Sequence, residues 1–381
     1  MKLSTILSLL LSVIAINTQV SKADITISEA IELEGDNGTL LQIRNDNGDL
    51  KEKIVIKSFL ARLSPDKKHI AYIDKLSKGG FRMALRHVSG NKLEYPPFLK
   101  TKRTLGWAIT GMEWSHDGKE IALVMAGSDF YQKARPVRVI VYNFDNNKFN
   151  TWYESESQTT EAAYLLSVKW FPDNKRILVA DNLTKGKEKV IVATFNRSKQ
   201  RKVYNGATLY SNIVNNGNNI LMITNKEDIA PSPSQNKSST KCQVIQFDLA
   251  NKTISKIIEA NLPGNMQKIL IQKYIINSAD SALLILPGDI STGRSITVID
   301  LFNKKIETIN FGNSIFFPQA ISQDGRYLLG KCLLCSRAEQ GYEIFNLQTN
   351  KFKHICSRDN TLSGEASLGA ELFFNRIEWI R

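Results

Sequence analysis

A turn followed by an apolar strand recurs in this chain about every 52 residues, and that repeat limits the folds open to it. The turns use Ser, Pro, Asp, Asn and Gly, whose side chains or backbone freedom let a chain reverse tightly. Six copies are recognisable, at Leu63–Lys67, Trp114–Lys119, Phe171–Lys175, Val214–Gly217, Ser278–Ser281 and Ser322–Arg326. A repeat of this length is typical of the blades of a β-propeller.

A second hairpin alternates with the first and recurs about every 50 residues. Asparagine dominates its turns because it tolerates the left-handed backbone conformation that such turns need. Seven copies occur, at Asn47, Asn91, Asn147, Ser198, Asn251, Asn303 and Asn350. Two hairpins in each repeat predict an all-β propeller of four-stranded blades. The copy numbers favour seven blades, with six as the alternative.

The two ends of the chain explain why one hairpin has six copies and the other seven. Residues 40–44 and 50–54 have the pattern of the outer two strands of a blade that lacks its inner pair. Residues 372–380 are the candidate for that inner pair. We therefore expect N-terminal outer strands to pair with C-terminal inner strands and close the ring, which removes exposed sheet edges.

The first residues have the features of a secretory signal peptide. Lys2 gives a positive start, Ile6 to Ile16 is an apolar run broken only by serine, and Ser21 and Ala23 are small residues at the cleavage positions. We predict a cleaved signal peptide at 1–23, a single propeller domain at 24–381, and a periplasmic or extracellular location. No later stretch reaches the roughly 20 apolar residues that span a bilayer.

The chain is basic, with a formal net charge of +13. A basic surface favours anionic partners, so the predicted partner is a protein or an anionic envelope polymer. The lysines are scattered rather than gathered in a block, and a purely solubilising role explains that pattern more simply. We expect no nucleic-acid partner, no transmembrane segment and a monomer.

Two of the repeats carry a more specific resemblance. The runs Ser64-Pro65-Asp66 to Ile73 and Trp114-Ser115 to Val124 resemble the WD-like propeller repeats of the TolB family, which also occur in the propellers of prolyl oligopeptidases. The resemblance implies a propeller that binds other proteins in the periplasm. TolB has an additional α/β domain before its propeller, and only about 30 residues precede the first full blade here, so its contacts within the Tol complex do not carry over.

Residues for catalysis are not evident in the sequence. An oligopeptidase needs a hydrolase domain with a Gly-x-Ser-x-Gly elbow, and this chain has no room for one. The four histidines are His69, His87, His116 and His354, which are spread over three of the expected blades. We therefore expect a binding module without a cofactor rather than an enzyme. The alternative is a propeller hydrolase or lyase that acts on a glycan or peptide at the central channel.

The binding residues are expected on long connections, because variable loops on a rigid frame are where binding usually resides. The connection around 125–136 is one of the longest, and it carries aromatic and cationic side chains. Phe130, Tyr131 and Arg135 are therefore our candidates for the binding face.

The four cysteines are Cys242, Cys332, Cys335 and Cys356. Strand order puts Cys335 and Cys356 at the same edge of one blade, which makes them the candidate disulfide, although a strand lies between them. A zinc set of Cys332, Cys335, His354 and Cys356 is a second interpretation, since soft ligands at close spacing suit zinc. Unpaired buried thiols are a third, and Cys242 is expected to stay free.

Overall fold

The computed structural model describes a set of residues that covers most of the repeats: 24–33, 36–45, 47–58, 60–75, 81–90, 93–96, 107–127, 135–157, 166–182, 188–194, 200–206, 208–225, 239–263, 276–277, 283–287, 293–301, 303–322, 324–333, 340–357 and 376–380. The predicted signal peptide lies outside them. Within these residues no helix is long and apolar enough to cross a membrane.

The described strands form seven antiparallel sheets of four strands each, here numbered in chain order. Sheet 1 contains β28 (Arg376–Ile380), β1 (Asp24–Leu33), β2 (Asp36–Arg44) and β3 (Leu50–Ile56). Sheet 2 contains β4 (Ala61–Leu63), β5 (His69–Lys75), β6 (Phe81–His87) and β7 (Leu93–Glu94). Sheet 3 contains β8 (Trp107–Trp114), β9 (Glu120–Gly127), β10 (Arg135–Asn143) and β11 (Lys148–Ser157).

The remaining four sheets follow the chain in the same way. Sheet 4 contains β12 (Leu166–Trp170), β13 (Arg176–Asp181), β14 (Lys189–Thr194) and β15 (Arg201–Asn205). Sheet 5 contains β16 (Tyr210–Val214), β17 (Asn219–Asn225), β18 (Ser239–Asp248) and β19 (Thr253–Pro263), with a short 3-10 turn at Asn215–Gly217. Sheet 6 contains β20 (Ile276–Asn277), β21 (Leu283–Pro287), β22 (Ser295–Asp300) and β23 (Lys305–Asn310). Sheet 7 contains β24 (Ile315–Ile321), β25 (Tyr327–Leu333), β26 (Gln340–Asn346) and β27 (Lys351–Ser357).

Sheet 1 is built from both ends of the chain, because β1 pairs with β28, for example Ile25 with Trp379. The division of strands differs from the one predicted. Three strands come from the N-terminal segment and one from the C-terminal segment, instead of two from each. Residues 24–33 form a strand of their own, since alternate residues such as Ile25 and Ile27 are buried in the period-two pattern of a sheet.

Buried apolar side chains join each sheet to the next. Seven core clusters are described, and each contains residues of two sheets: 1 with 2, 2 with 3, 3 with 4, 4 with 5, 5 with 6, 6 with 7, and 7 with 1. In the last of these, Ile25 and Ile27 pack against Leu329 and Tyr342. The core therefore lies between sheets, which is how the blades of a propeller bury their faces.

The turns of the first hairpin share one hydrogen-bond pattern. In sheet 2 the Ser64 hydroxyl donates to the Asp66 carboxylate at 2.5 Å, and the backbone N–H of His69 donates to Ser64 Oγ at 2.9 Å. Ser115 and Ser322 repeat both bonds in sheets 3 and 7. In these three copies the aspartate of the repeat therefore forms part of the turn, and the turn holds its two strands in register.

Candidate functional site

The strands alternate in direction, so the connections divide between two edges of the structure. The turns between the first and second strands, and between the third and fourth, lie at one edge, which we call the short-turn edge. The other edge carries the connections between the second and third strands and those between sheets. It includes the longest ones, such as 226–238 and 264–275. We call it the long-connection edge.

The inner strand of each sheet is the first one named above, and it lies toward the centre, because neighbouring sheets contact each other through these strands. For example, β8 contacts β4 and β12, and β24 contacts β20 and β28. The partly exposed side chains there include the cations Arg62 and Lys169 and the carboxylate Glu113. Among the described inner strands none carries a histidine. All four histidines lie on other strands or in a turn.

A groove of about 460 Å³ opens between sheets 6 and 7 at the short-turn edge. Its apolar lining is Leu283, Val298, Ile309 and Leu347. Its polar lining is Asp300, Asn303, Lys305, Glu307, Asp324, Gly325, Arg326 and Gln348. The volume lies within the range of sites for small ligands. The groove therefore has the size of a ligand site, although it lies away from the long-connection edge where binding was expected.

The charged groups of this groove are paired with one another. Lys305 forms an ion pair with Glu307, and Arg326 Nε lies 3.3 Å from the Asp324 carboxylate. The Asp300 carboxylate accepts hydrogen bonds from the backbone and side chain of Asn303, at 2.9 and 2.8 Å. Exposed ion pairs of this kind contribute little energy, so a polar ligand group competes with them at small cost.

The predicted binding-face residues fall at the margin of the described structure. Phe130 and Tyr131 lie outside the described residues. Arg135 begins β10 and pairs in register with Ser157, but its side chain is not among those described. Their role stays a prediction.

The predicted cysteine sites are corrected by one observation: Cys332 is disulfide-bonded, while Cys242 is a free, buried thiol. A bond between Cys335 and Cys356 would leave Cys332 without a partner, so the predicted pairing is wrong. The zinc set is also wrong, because a disulfide sulfur is not the thiolate that zinc binds. His354 contacts the Glu343 carboxylate instead, with Nδ1 2.9 Å from Oε1. Cys335 itself lies outside the described residues.

Two polar pairs, each with a buried carboxylate, were missed by the sequence reasoning. Tyr153 on β11 donates a hydrogen bond to the Asp181 carboxylate on β13, and both side chains are buried between sheets 3 and 4. Burial, together with the Asp181 charge, raises the pKa of Tyr153 well above its ordinary value. The phenol therefore stays protonated and acts as a donor. In sheet 7 the buried Glu343 faces His354 across two paired strands.

A third pair brings together two of the four histidines. His69 on β5 and His87 on β6 are register partners, and their ring centroids are 4.3 Å apart. The sequence analysis named both histidines but did not predict that they pair. Their pairing depends on the register of β5 with β6 across the connection at 76–80, which the repeated turn motifs do not include.

No protein-family model matches this chain, and no curated protein sequence does. Solved structures do match. The β-propeller domain of the Trilobed protease from Pyrococcus furiosus, described as having an open velcro topology, is similar with a TM-score of 0.52 and 12% identity over 89% of this chain and 100% of that chain. An oligogalacturonate lyase in complex with manganese is similar with a TM-score of 0.52 and 12% identity over 78% of this chain and 80% of that chain.

TolB from Acinetobacter baumannii is also among the matches, with a TM-score of 0.45 and 12% identity over 76% of this chain and 63% of that chain. The Trilobed protease propeller and the oligogalacturonate lyase, at 12% identity, show the fold alone. The chain is therefore an all-β propeller of four-stranded blades, as the repeats predicted. Its place in the TolB-type repeat family stays a prediction.

Proposed function

We propose that this chain is an exported, monomeric seven-bladed propeller, a single domain at 24–381, that works as a binding module for a protein or an anionic envelope polymer. The observation that carries the proposal is a set of packed four-stranded sheets with two unlike edges. One edge has uniform short turns, and the other has long connections of varied length. On such a frame, varied connections are where partners usually bind.

The seven-bladed ring is supported by the contacts between sheets. Seven sheets alternate with seven core clusters, and the cluster of Ile25 and Ile27 with Leu329 connects the last sheet to the first. The pairing of β1 with β28 links the two ends of the chain within one blade. A ring of this kind fixes the positions of the strand ends from which the long connections begin.

The charge supports an anionic partner. The sequence carries an excess of 13 positive charges, and on the inner strands the partly exposed cations Arg62 and Lys169 stand against one carboxylate, Glu113. A basic surface attracts an anionic polymer or an acidic protein surface and increases its association rate. Such binding falls with increasing salt concentration, because exposed charges are screened.

Export is tested by expressing the full chain in a bacterium with two membranes and separating its compartments. We expect a product in the periplasm or the medium whose N-terminal sequence begins at Asp24. A full-length protein of 42.9 kDa that stays in the cytosol would show that the export part of the proposal is wrong.

Binding is tested with the mature protein as bait in envelope extracts and with an immobilised anionic polysaccharide. The triple variant Phe130→Ala, Tyr131→Ala, Arg135→Ala should lose the partner. The matched control replaces Lys119 and Lys148 by alanine, since both lie at the short-turn edge. Equal binding by both variants would contradict the long-connection edge as the binding face. Turnover of an envelope glycan or peptide by the purified protein would favour the hydrolase or lyase instead.

A further inference from the structure

His69 and His87 occupy facing positions on neighbouring antiparallel strands. The backbone N–H of Val88 donates to the carbonyl oxygen of Lys68 at 2.8 Å, so residues 68 and 88 are the hydrogen-bonded pair of this ladder. The next pair, His69 and His87, is therefore a non-hydrogen-bonded pair, the position where facing side chains approach most closely. The two side chains thus leave the sheet side by side on one face.

The two imidazole rings are already in contact. Their centroids are 4.3 Å apart and their planes are inclined by 59°, so the rings are tilted rather than stacked. Both side chains are partly exposed, which leaves them open to an ion from solvent. Zinc–nitrogen bonds of about 2.0–2.1 Å require two ligating nitrogens roughly 3 Å apart. Rings in contact reach that separation with small changes of their side-chain torsions.

The groups around the histidines include two carboxylates. Asp66, in the turn before β5, and Glu94, on β7, both act electrostatically on His69. Lys68 is the opposing cation nearby. Imidazole nitrogens with carboxylate or water oxygens are the ligands that zinc and copper accept. The described residues hold no cluster of three or more potential ligands, so an ion bound here would have two histidine ligands, with water in its remaining positions.

We propose that His69 and His87 form a two-histidine chelating site for a divalent transition-metal ion, Zn²⁺ or Cu²⁺, at the short-turn edge of sheet 2. With two protein ligands the ion stays exchangeable. The site is of the open kind rather than the closed four-ligand kind that structural zinc occupies. This site does not depend on the proposed binding function, because it lies at the opposite edge from the long connections.

The test uses the mature protein without a histidine tag, freed of metal by a chelator and then titrated with ZnCl₂ by calorimetry. We expect one Zn²⁺ per chain, a rise in melting temperature with added Zn²⁺, and loss of both in His69→Asn and in His87→Asn. His116→Asn and His354→Asn are the matched controls and should bind as the native protein does. Circular dichroism and the melting temperature without metal show whether each variant is folded.

Copper gives a second readout that identifies the ligands. With one equivalent of CuCl₂, the electron paramagnetic resonance spectrum should show coupling to two imidazole nitrogens, reduced to one in either variant. The proposal is overturned if the native protein binds neither ion, or if binding and the spectrum are the same in His69→Asn and His87→Asn. The rings would then be only a packing contact.

Discussion

The indole Nε1 of Trp170 lies 3.0 Å from the carbonyl oxygen of Glu113, and this hydrogen bond connects the inner strand of sheet 4 to the inner strand of sheet 3. The preceding sheet repeats it, because Trp114 donates to the carbonyl oxygen of Arg62 in sheet 2 at 3.2 Å. The two tryptophans occupy the same place in successive repeats. Each therefore packs between sheets and also satisfies a backbone acceptor of the neighbouring sheet.

Replacing Trp170 by phenylalanine should remove this hydrogen bond as well as part of the ring. Trp152 is a matched control, because it packs against Trp170 in the same cluster and its indole nitrogen has no hydrogen-bond partner within the described residues. Both variants lose the same volume and an indole N–H, but only the N–H of Trp170 makes a described hydrogen bond. We expect Trp170→Phe to be less stable than Trp152→Phe by about 1 kcal/mol in urea unfolding. Equal losses of unfolding free energy in the two variants would mean that this hydrogen bond makes no net contribution to stability.

The pairing of β1 with β28 predicts that the last residues are essential to the fold. Deleting Arg376–Arg381 removes β28, exposes the edge of β1 and uncovers the cluster that contains Ile25 and Ile27. The loss should be several kcal/mol out of the roughly 5–15 kcal/mol that stabilises a protein, so we expect an insoluble or non-cooperative product.

The control for this deletion shortens the segment 226–238 by six residues, since that segment connects β17 to β18 without contributing to either. This variant should melt near the native temperature. Cooperative melting of the β28 deletion at the native temperature would contradict ring closure through this blade.

Four of the second-hairpin turns predicted from the sequence can be compared with the structure by the residue that takes the left-handed conformation. The left-handed residue is the predicted asparagine at Asn147 and Asn350, but it is Lys252 and Lys304, one position later, in two other copies. A single rule covers all four turns. An Asp or Asn side chain accepts a hydrogen bond from the backbone N–H of the residue three positions later, and the residue four positions later has a positive φ. The accepting residues are Asn143, Asp248, Asp300 and Asn346.

The two polar contacts that the sequence reasoning missed differ in how far the repeat pattern could have predicted them. Glu343 and His354 are related by a turn of known type, so their contact could have been derived from the register alone. Tyr153 and Asp181 lie on different sheets, and periodicity says nothing about which side chains meet between sheets. The predicted division of end strands failed for a similar reason, since the pairing of β1 with β28 joins residues at opposite ends of the chain.

Glu120 should make stability depend on pH. Burial raises the pKa of its carboxyl, with the charges of Asp117 and Asp145 in the same direction, although the Asn143 amide donates to it and partly offsets the shift. A carboxyl whose pKa is higher in the folded state contributes stability that is complete below its unfolded pKa, near 4.3, and is lost as the pH rises through its folded pKa.

Glu120→Gln keeps an oxygen acceptor for Asn143 and removes the charge. The melting temperature of the variant, relative to the native protein, should therefore be higher at pH 7 than at pH 4. The measurement is thermal unfolding across that range in one buffer series of constant ionic strength. Two profiles that run parallel at every pH would show that this carboxyl has the same pKa in the folded and unfolded chains.

The register of sheet 7 predicts the partner of Cys332. Cys332 lies opposite Gly341 on β26, and Cys356 lies opposite Tyr342 on the other side of the same strand. Two strand spacings separate β25 from β27, about 9–10 Å, whereas the Cα atoms of a disulfide lie within about 7 Å. Cys242 is free. We therefore expect Cys332 to pair with Cys335, three residues further along the chain.

Tryptic digestion without reduction distinguishes the pairings, because cleavage after Lys331 and Arg337 gives one peptide, Cys332–Arg337, that contains both cysteines. The expected product is this single peptide, lower in mass by two hydrogen atoms and alkylated only after reduction. Cys356, in the peptide His354–Arg358, should be alkylated without reduction, as should Cys242. A cross-linked product of the two peptides would instead mean that Cys332 reaches Cys356 and that β25 and β27 bend toward each other at this edge.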